Sequence, residues 1–280
     1  MKILRTVDEL RLALAGPRAE GTVGLVPTMG ALHEGHASLL RVARGESQTV
    51  VASLFINPTQ FGDPSDLKAY PRDEANDARI ASDAGVDRLF APSSDEVYRH
   101  GHATWVEVAG PAAGLEGAFR PGHFRGVATV CLKLFLKVAP TRAYFGQKDA
   151  QQVAVITQMV RDLNVNIEIR VLATVRAADG LALSSRNARL SPDERASALA
   201  IPRALDAGLA ASRAGRDAVA AAKAELTGLE VDYVAVADFN GHQTLAIAAR
   251  AGRTRLIDNM RLDDDLVVPI LGDRESQHGR

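Results

Sequence analysis

The sequence is poor in cysteine, since Cys131 is the single one among 280 residues. One thiol cannot form an internal disulfide, which excludes the class of small disulfide-held secreted domains and favours a reducing cytoplasm as the compartment. Cys131 lies inside the apolar stretch 127–138. We therefore interpret it as a small buried hydrophobic side chain rather than as a nucleophile.

The sequence also lacks an excess of charge and any long apolar run. The 33 Lys and Arg residues nearly balance the 34 Asp and Glu residues, and the formal net charge is -1. We expect no nucleic-acid or membrane partner, because there is no global attraction to polyanions and no run of ~20 apolar residues. The charged residues 1–14 lack the apolar core of a signal peptide. Any anion-binding site must be local.

The first 172 residues alternate short apolar, β-branched runs with helical patterns. The runs predict buried parallel strands over 22–28, 49–56, 88–91, 143–145 and 167–171. Helices are predicted over 35–43, 72–84, 124–138 and 150–163. Strands that alternate with helices indicate an α/β domain built on a Rossmann-like, doubly wound parallel sheet.

The pattern changes after about residue 172. Residues 196–224 are alanine-rich and predict helices, whereas 230–237 and 254–257 predict strands. We therefore expect two domains, 1–172 and 173–280, of which the second is smaller and of α+β type. The polar residues 272–280 are expected to fray.

The strongest motif is PTMGALHEGH, residues 27–36, where a predicted strand gives way to a helix. Ligands of open α/β sheets bind at the carboxyl ends of strands, and a helix N-terminus offers free N–H groups to phosphate. His33 and His36 share one face of the first turn and can donate hydrogen bonds to phosphate oxygens. The alternatives are structural histidines, or a zinc site whose third ligand would be His123 or a carboxylate without metal-type spacing.

Two further motifs carry cations or hydroxyls. In YFGQKD, residues 144–149, Lys148 suits a phosphate, while Asp149 either caps the next helix or accepts from ribose hydroxyls. In DGLALSSRN, residues 179–187, the two serine hydroxyls and the Arg186 guanidinium either bind phosphate oxygens or belong to an ordinary polar turn with N-cap serines. Both motifs therefore remain open to a structural interpretation.

The fourth motif is NPTQF, residues 57–61, directly after the second predicted strand. Gln60 either hydrogen-bonds a small polar substrate or faces water. None of the four motifs is the dinucleotide fingerprint or the phosphate loop that ends in Gly-Lys-Ser/Thr. The sequence therefore does not favour NAD chemistry or simple γ-phosphoryl transfer.

Taken together and in order, these motifs resemble the pantothenate synthetase family over nearly the whole chain. The segments that carry the resemblance are Met1–Leu10, Pro27–His36, Asn57–Phe61, Arg120–Val127, Phe145–Gln152, Asp179–Asn187 and Gly252–Asn259. The HxGH element alone marks only a broad nucleotidylyltransferase superfamily. Two positions depart from the family pattern: Gln147 stands where Glu is common, and Ala150 where an aromatic residue is usual.

The resemblance implies a two-step ligase that uses ATP and Mg²⁺. Pantoate and ATP would give enzyme-bound pantoyl adenylate and pyrophosphate, and the amine of β-alanine would then give pantothenate and AMP. It also implies a homodimer, with 1–172 as the nucleotide- and pantoate-binding domain. It assigns no metal ligands.

The resemblance further implies roles for individual residues. The catalytic groups that hold the ATP phosphates would be His33, His36, Lys148, Ser184, Ser185 and Arg186. The ribose and adenine would contact Gly146, Asp149 and Val175. Pantoate would be bound by Gln60 and Gln152 in a pocket with Pro27, Thr28 and Met29, the last with its backbone N–H near the reacting groups and the nucleotide.

This chemistry agrees with the residues present, because a carboxylate is already ionised near pH 7 and needs alignment and charge stabilisation rather than a general base. Two alternatives stay open. A nucleotidylyltransferase acting on a phosphate or alcohol leaves Gln60 and Gln152 unexplained, and a nucleotide- or tRNA-binding module would have no catalysis.

The polar segment 63–76 is predicted to close over the adenylate as a lid.

Overall fold

The computed structural model describes residues 1–263, which form two compact units. The first comprises Met1–Phe145 and Gln151–Leu172, and the second comprises Gly146–Ala150 and the chain from Ala173 onward. The structure thus groups residues 146–150 with the second unit, although the sequence pattern placed them in the first domain. The predicted frayed segment 272–280 lies outside the described residues. No helix among residues 1–263 combines the length and apolar character needed to span a bilayer.

The first unit is built on a six-stranded sheet in the order β1–β4–β3–β2–β5–β6. The strands are β1 (Lys2–Leu4), β2 (Val23–Thr28), β3 (Thr49–Leu54), β4 (Arg88–Phe90), β5 (Arg142–Gly146) and β6 (Glu168–Leu172). β2 pairs in parallel with β3 and β5, and β4 pairs in parallel with β3 and β1. The predicted parallel sheet is confirmed.

Helices cover both faces of this sheet. They are α1 (Val7–Glu20), α2 (Glu34–Glu46), α3 (Pro64–Lys68), α4 (Glu74–Asp83), α5 (Ser94–Val97), α6 (Leu115–Phe119), α7 (His123–Val138) and α8 (Ala150–Asp162). Successive strand side chains point to opposite faces. Leu25 of β2 therefore joins the core formed with α1, α7 and α8, whereas Val26 joins the core formed with α2 and α4. The doubly wound prediction is confirmed.

The strand order reverses at β2. β3 and β4 lie on one side of β2, and β5 and β6 lie on the other. Ligands of open α/β sheets bind outside the carboxyl ends of the strands at such a reversal. The loop that leaves β2 therefore occupies the position where doubly wound sheets bind ligands.

Up to residue 263, the second unit contains a three-stranded antiparallel sheet and three α-helices. Its elements are α9 (Pro192–Ala198), α10 (Ala200–Arg213), α11 (Ala218–Glu225), β7 (Glu230–Phe239), β8 (His242–Ala251) and β9 (Thr254–Arg261). Asn240 and Gly241 join β7 to β8 with φ of 59° and 85°, as a two-residue hairpin turn requires. This is the predicted smaller α+β domain.

The strand β8 was not predicted, and neither were β1 and α1. The β8 sequence HQTLAIAARA is rich in alanine, which has low strand propensity. β8 is nevertheless the central strand, paired with β7 on one side and β9 on the other, and residues 244–249 are buried without interruption. Tertiary pairing and burial outweigh the local preference here.

Cys131 has the environment expected for a buried hydrophobic side chain. It lies in the core around α7, and burial raises the pKa of its thiol to about 12. At such a pKa the nucleophilic thiolate is absent near neutral pH.

Candidate active site

The loop between β2 and α2 is shaped by two residues in the left-handed region, Gly30 with φ 88° and Ala31 with φ 51°. A Cβ at Gly30 would lie 2.8 Å from Leu54 Cδ1 and 2.9 Å from Asp77 Oδ2, so only glycine fits both the backbone and the space. The Thr28 hydroxyl donates to the backbone oxygen of Ser53 over 2.6 Å. The loop therefore leaves the sheet in one defined conformation.

A buried carboxylate holds this loop. Asp77, in the first turn of α4, accepts from Ala31 N over 3.0 Å and from Leu32 N over 2.7 Å. Burial raises the pKa of Asp77, while the two amide donors act in the opposite direction. Since a left-handed conformation is costly for a residue with a Cβ, these bonds stabilise Ala31. Asp77 could not be found from the sequence, because an aspartate in a polar helix gives no signal of burial.

His33 and His36 lie together at the N-terminus of α2, with ring centroids 4.1 Å apart. His33 Nδ1 accepts from Gly35 N over 3.1 Å, and His36 Nδ1 accepts from His33 N over 3.3 Å. A backbone N–H can only donate, so both Nδ1 atoms are unprotonated and the neutral rings carry their proton on Nε2. The result is a pair of Nε2–H donors at a helix end whose dipole favours anions.

Gln60 ends the 3₁₀ turn Pro58–Gln60 that follows β3. It is only 7% exposed, so it does not face water. Buried Asn57 donates from Nδ2 to Gln60 Oε1 over 2.8 Å and to Gly126 O over 3.1 Å. This bond fixes the orientation of the Gln60 amide: Oε1 points to Asn57, and the two N–H donors of Nε2 lie on the other side.

The neighbouring α7 supports the same turn. His123 Nδ1 donates to Gln60 O over 3.0 Å, and Arg120 donates to His123 Nε2 over 3.1 Å. A Cβ at Gly126 would lie 2.5 Å from Thr59 O, so glycine is what lets the helix and the turn approach. His123, considered above as a third zinc ligand, is thus engaged with Gln60.

A cavity of about 360 Å³ opens in the first unit at the carboxyl ends of β2 and β3. Its lining residues are Met29, Leu54, Phe55, Ile56, Pro58, Leu67, Pro71, Arg72, Asp73, Glu74, Asp77, Pro92 and Ser94. Met29 is the sequence-predicted residue in this lining. Pro27 and Thr28 end β2, and Gln152 lies half-buried in the first turn of α8.

In the second unit, Gln147–Asp149 form a 3₁₀ turn directly after Gly146. The Lys148 side chain is 17% exposed, and its Nζ lies 3.9 Å from Asp149 Oδ1. The Gln147 amide donates to Asn259 Oδ1 over 3.2 Å and accepts from Arg261 over 3.2 Å. A glutamate in place of Gln147 would have no N–H for Asn259 Oδ1, so the glutamine suits the partners present.

The DGLALSSRN motif lies in a small hairpin of the second unit, with an antiparallel bridge between Arg176 and Ala182. Leu183 N donates to Val175 O over 3.0 Å, and Ser184 Oγ accepts from Arg186 N over 3.2 Å. Ser184 thus caps the 3₁₀ helix Ser185–Arg189, which is the structural role considered above. The hairpin brings together Val175, Ser184, Ser185 and Arg186.

The described residues 1–263 contain no group of three or more His, Cys, Asp or Glu side chains placed to hold a metal ion. A structural zinc site of the kind considered above requires such a group.

The chain is similar to pantothenate synthetases along most of its length. A family model described as pantoate-beta-alanine ligase matches residues 2–261. The pantothenate synthetase of Moorella thermoacetica is 50% identical, covering 94% of this chain and 99% of that protein. The pantothenate synthetase of Herpetosiphon aurantiacus is 47% identical, covering 93% and 99%.

Solved structures agree with this match. Pantothenate synthetase from Thermus thermophilus superimposes with a TM-score of 0.89 at 47% identity, covering 94% of this chain and 99% of that one. Pantoate-beta-alanine ligase from Francisella tularensis, solved with beta-gamma ATP and beta-alanine, gives a TM-score of 0.81 at 34% identity, covering 94% and 98%. With the family model spanning both units, the chain belongs to the pantoate–β-alanine ligase family.

Proposed function

We propose that the chain is an ATP-dependent ligase that joins pantoate to β-alanine through a pantoyl adenylate. The observation that carries the proposal is the pair of imidazoles at the N-terminus of α2, whose Nδ1 atoms both accept from the backbone. The Nε2–H donors of these rings suit phosphate oxygens on which negative charge grows in a transition state. Family membership names the two substrates that are joined.

In the first step, a carboxylate oxygen of pantoate attacks the α-phosphorus of ATP. The bond from the α-phosphorus to the oxygen shared with the β-phosphate breaks, and pyrophosphate leaves. No general base is required, since the carboxylate is ionised near pH 7. The protein's task is to align the reacting atoms and to stabilise the spreading charge.

The roles of the ATP-binding residues follow the resemblance. We propose that His33 and His36 of the first unit bind phosphate oxygens. For the second unit we propose the same role for Lys148, Ser184, Ser185 and Arg186, and contacts with ribose and adenine for Gly146, Asp149 and Val175. Lys148 and Arg186 are the cations of this set, and a cation near a phosphate gains the strength of a charge-assisted hydrogen bond.

We propose that Gln60 and Gln152 bind pantoate, with Pro27, Thr28 and Met29 in the same pocket. The bond from Asn57 Nδ2 to Gln60 Oε1 supports this role, because it orients the Gln60 amide and does not involve the two N–H donors of Nε2. An N–H donor complements the carboxylate and hydroxyl oxygens of pantoate.

In the second step, the neutral amine of β-alanine attacks the acyl carbon of the adenylate. The bond from that carbon to the bridging oxygen breaks, AMP leaves with the oxygen, and the nitrogen loses a proton as the amide forms. Adenylation is what makes this step feasible, because a free carboxylate is a poor electrophile.

We propose Mg²⁺ as the ion that accompanies ATP. Mg²⁺ usually keeps several waters and takes phosphate oxygens with one or two carboxylates, so it does not need a site made wholly of side chains. A homodimer in the cytoplasm completes the proposal; the dimer rests on the family resemblance, and the compartment on the single buried thiol Cys131.

The test of the function is a reaction containing the protein, ATP, Mg²⁺, pantoate and β-alanine, with products measured by mass spectrometry. We expect pantothenate, AMP and pyrophosphate in equal amounts, each dependent on pantoate. The double variant His33→Ala/His36→Ala is the matched control for a contaminating ligase. Formation of ADP and phosphate, or of AMP without any need for pantoate, would contradict the proposal.

A further inference from the structure

The segment Gly252–Asn259, which carries part of the family resemblance, has no role in the function proposed so far. It forms most of β9, at the edge of the antiparallel sheet of the second unit. Two adjacent residues near the end of this strand, Asp258 and Asn259, are buried and polar. Buried polar side chains need partners, so their contacts indicate what the strand holds in place.

The Asn259 amide is hydrogen-bonded at both ends to the turn that carries Lys148. Its Nδ2 group donates to Gln147 O over 3.0 Å and to Lys148 O over 2.8 Å. Its Oδ1 accepts from Gln147 Nε2 over 3.2 Å. Two N–H donors meet two backbone carbonyls, so the side chain fixes the peptide planes on both sides of the Lys148 Cα.

Asp258 holds the hairpin that contains Arg176 and Ala182 in the same unit. Both of its oxygens accept from Arg176, over 2.5 and 3.1 Å, and Arg176 also donates to Gly180 O over 3.1 Å. Arg176 belongs to the hairpin that leads to Ser184, Ser185 and Arg186. Adjacent strand residues point in opposite directions. One strand therefore fastens two loops of the second unit, one through each residue.

We propose that Asn259 is a positioning residue for adenylation, which acts by fixing the backbone of Lys148 and makes no contact with ATP itself. This inference rests on the proposed role of Lys148 at the phosphates. A displacement of about 1 Å in a positioned group can lower a rate by about 10²-fold, so loss of the two carbonyl contacts has a measurable effect. Asp258 and Arg176 position the hairpin that leads to Ser184, Ser185 and Arg186 in the same way.

The test is a double-mutant cycle on pantoate-dependent exchange of labelled pyrophosphate into ATP, a reaction that reports adenylation alone. The variants are Asn259→Ala, Lys148→Ala and the double variant. We expect Asn259→Ala to lower the exchange rate about 10- to 100-fold with the KM for pantoate unchanged. In the Lys148→Ala background the same change should cost less than about threefold, because coupled residues are not additive.

A purely structural role gives a different result. Asn259→Ala would then lower the exchange rate by the same factor in both backgrounds, together with the melting temperature, and this would overturn the inference. Gln243→Glu is the matched control, since it alters an exposed amide on β8 of the same sheet. If Asn259→Ala does not fold, Asn259→Ser, which keeps one donor, replaces it in the cycle.

Failure of the proposed function is distinguishable from failure of this inference. No pantoate-dependent exchange by the unaltered protein, or no loss in Lys148→Ala, would reject the proposed function or the role of Lys148. Loss in Lys148→Ala with full activity in Asn259→Ala would reject the positioning role alone.

Discussion

The first unit and the second unit use opposite chemistry to hold the loops for which we propose phosphate binding. In the first unit, the carboxylate of Asp77 accepts from two backbone N–H groups, those of Ala31 and Leu32. In the second, the amide of Asn259 donates to two backbone carbonyls, those of Gln147 and Lys148. Because buried backbone groups must be paired, the turn that each loop makes decides whether its anchor is an acceptor or a donor.

The two units also differ in how they bury a cation. Arg176 of the second unit is buried with both oxygens of Asp258 as partners. In the first unit, Lys137 Nζ is buried without a hydrogen-bond partner among residues 1–263 and lies 6.0 Å from the centroid of the Phe90 ring. Burial lowers the pKa of Lys137 to about 8. The charge of Arg176 is compensated by a carboxylate, whereas Lys137 loses its hydration without a hydrogen-bond partner among the described residues in return, so we expect Lys137 to cost stability.

The largest expected effect comes from removing the side chains that we propose to bind phosphate. His33→Ala and His36→Ala in the first unit, and Lys148→Ala in the second, should each lower turnover by about 10²- to 10³-fold, the scale for loss of one transition-state donor. Melting temperatures should change little, and they are the control for folding. Near-unaltered turnover in all three variants would show that neither loop binds the reacting phosphates.

A smaller loss of activity is expected from changing Asp77, which holds the loop between β2 and α2. Asp77→Asn keeps one acceptor but turns an N–H group toward a backbone N–H, and we expect about a tenfold lower exchange of pyrophosphate, the equivalent of one hydrogen bond. Stability near pH 7 should change little, since the variant also removes a buried charge. An exchange rate equal to that of the unaltered protein would mean that the loop keeps its shape without the carboxylate.

The pH profile sharpens the same contrast between a carboxylate and an amide anchor. The folded chain binds the Asp77 proton more tightly than the unfolded chain, because burial raises its pKa. Its contribution to stability is therefore present at acidic pH and lost as pH rises through the raised pKa. Activity behaves in the opposite way, since a protonated Asp77 loses an acceptor. We expect an acidic limb in the rate profile that Asp77→Asn lacks; identical limbs would contradict this role.

A several-fold effect is expected for the segment 63–76, which remains a predicted lid. Trypsin can cut after Lys68 at the end of the exposed helix α3. ATP with pantoate should slow this cut several-fold if the segment closes over the adenylate. Cleavage after Lys223 in α11 of the second unit is the internal control. Equal cleavage rates after Lys68 with and without the two substrates would indicate that 63–76 is a static surface segment.

The smallest effect concerns stability rather than activity. Lys137→Met should raise the melting temperature by a few degrees at pH 7, whereas Arg176→Met should lower it. Since the folded-state pKa of Lys137 is lowered from 10.5 to about 8, its penalty is full below pH 8 and fades as pH approaches 10.5. The gain of Lys137→Met should shrink over that range. An increase in melting temperature that stays constant with pH would mean that Lys137→Met acts through packing instead of charge.

The parallel sheet and the motifs proposed to bind phosphate could be predicted from the sequence, but the residues that anchor these motifs could not. Strands buried on both faces appear as continuous apolar runs, and the residues of each motif are contiguous, so local patterns suffice for them. Asp77 lies 45 positions from Leu32, and Asn259 lies 111 positions from Lys148. No local pattern links such pairs, because their contacts are set by tertiary packing.

Strand β8 could not be predicted from the sequence for a related reason. Its alanines favour helix when taken alone, and only pairing with β7 and β9 makes the segment a strand. The departure at Gln147 likewise becomes intelligible only beside Asn259 and Arg261.

In the proposed mechanism the carboxylate of pantoate attacks the α-phosphorus of ATP, and the fate of the carboxylate oxygen tests this most directly. Pantoate labelled with ¹⁸O in the carboxylate is incubated with ATP, Mg²⁺, β-alanine and the protein, and the products are analysed by mass spectrometry. One labelled oxygen should appear in AMP and none in pyrophosphate, because the bridging oxygen leaves with AMP when the amine attacks the acyl carbon. Label in inorganic phosphate, with ADP as the nucleotide product, would contradict adenylation and indicate an acyl phosphate instead.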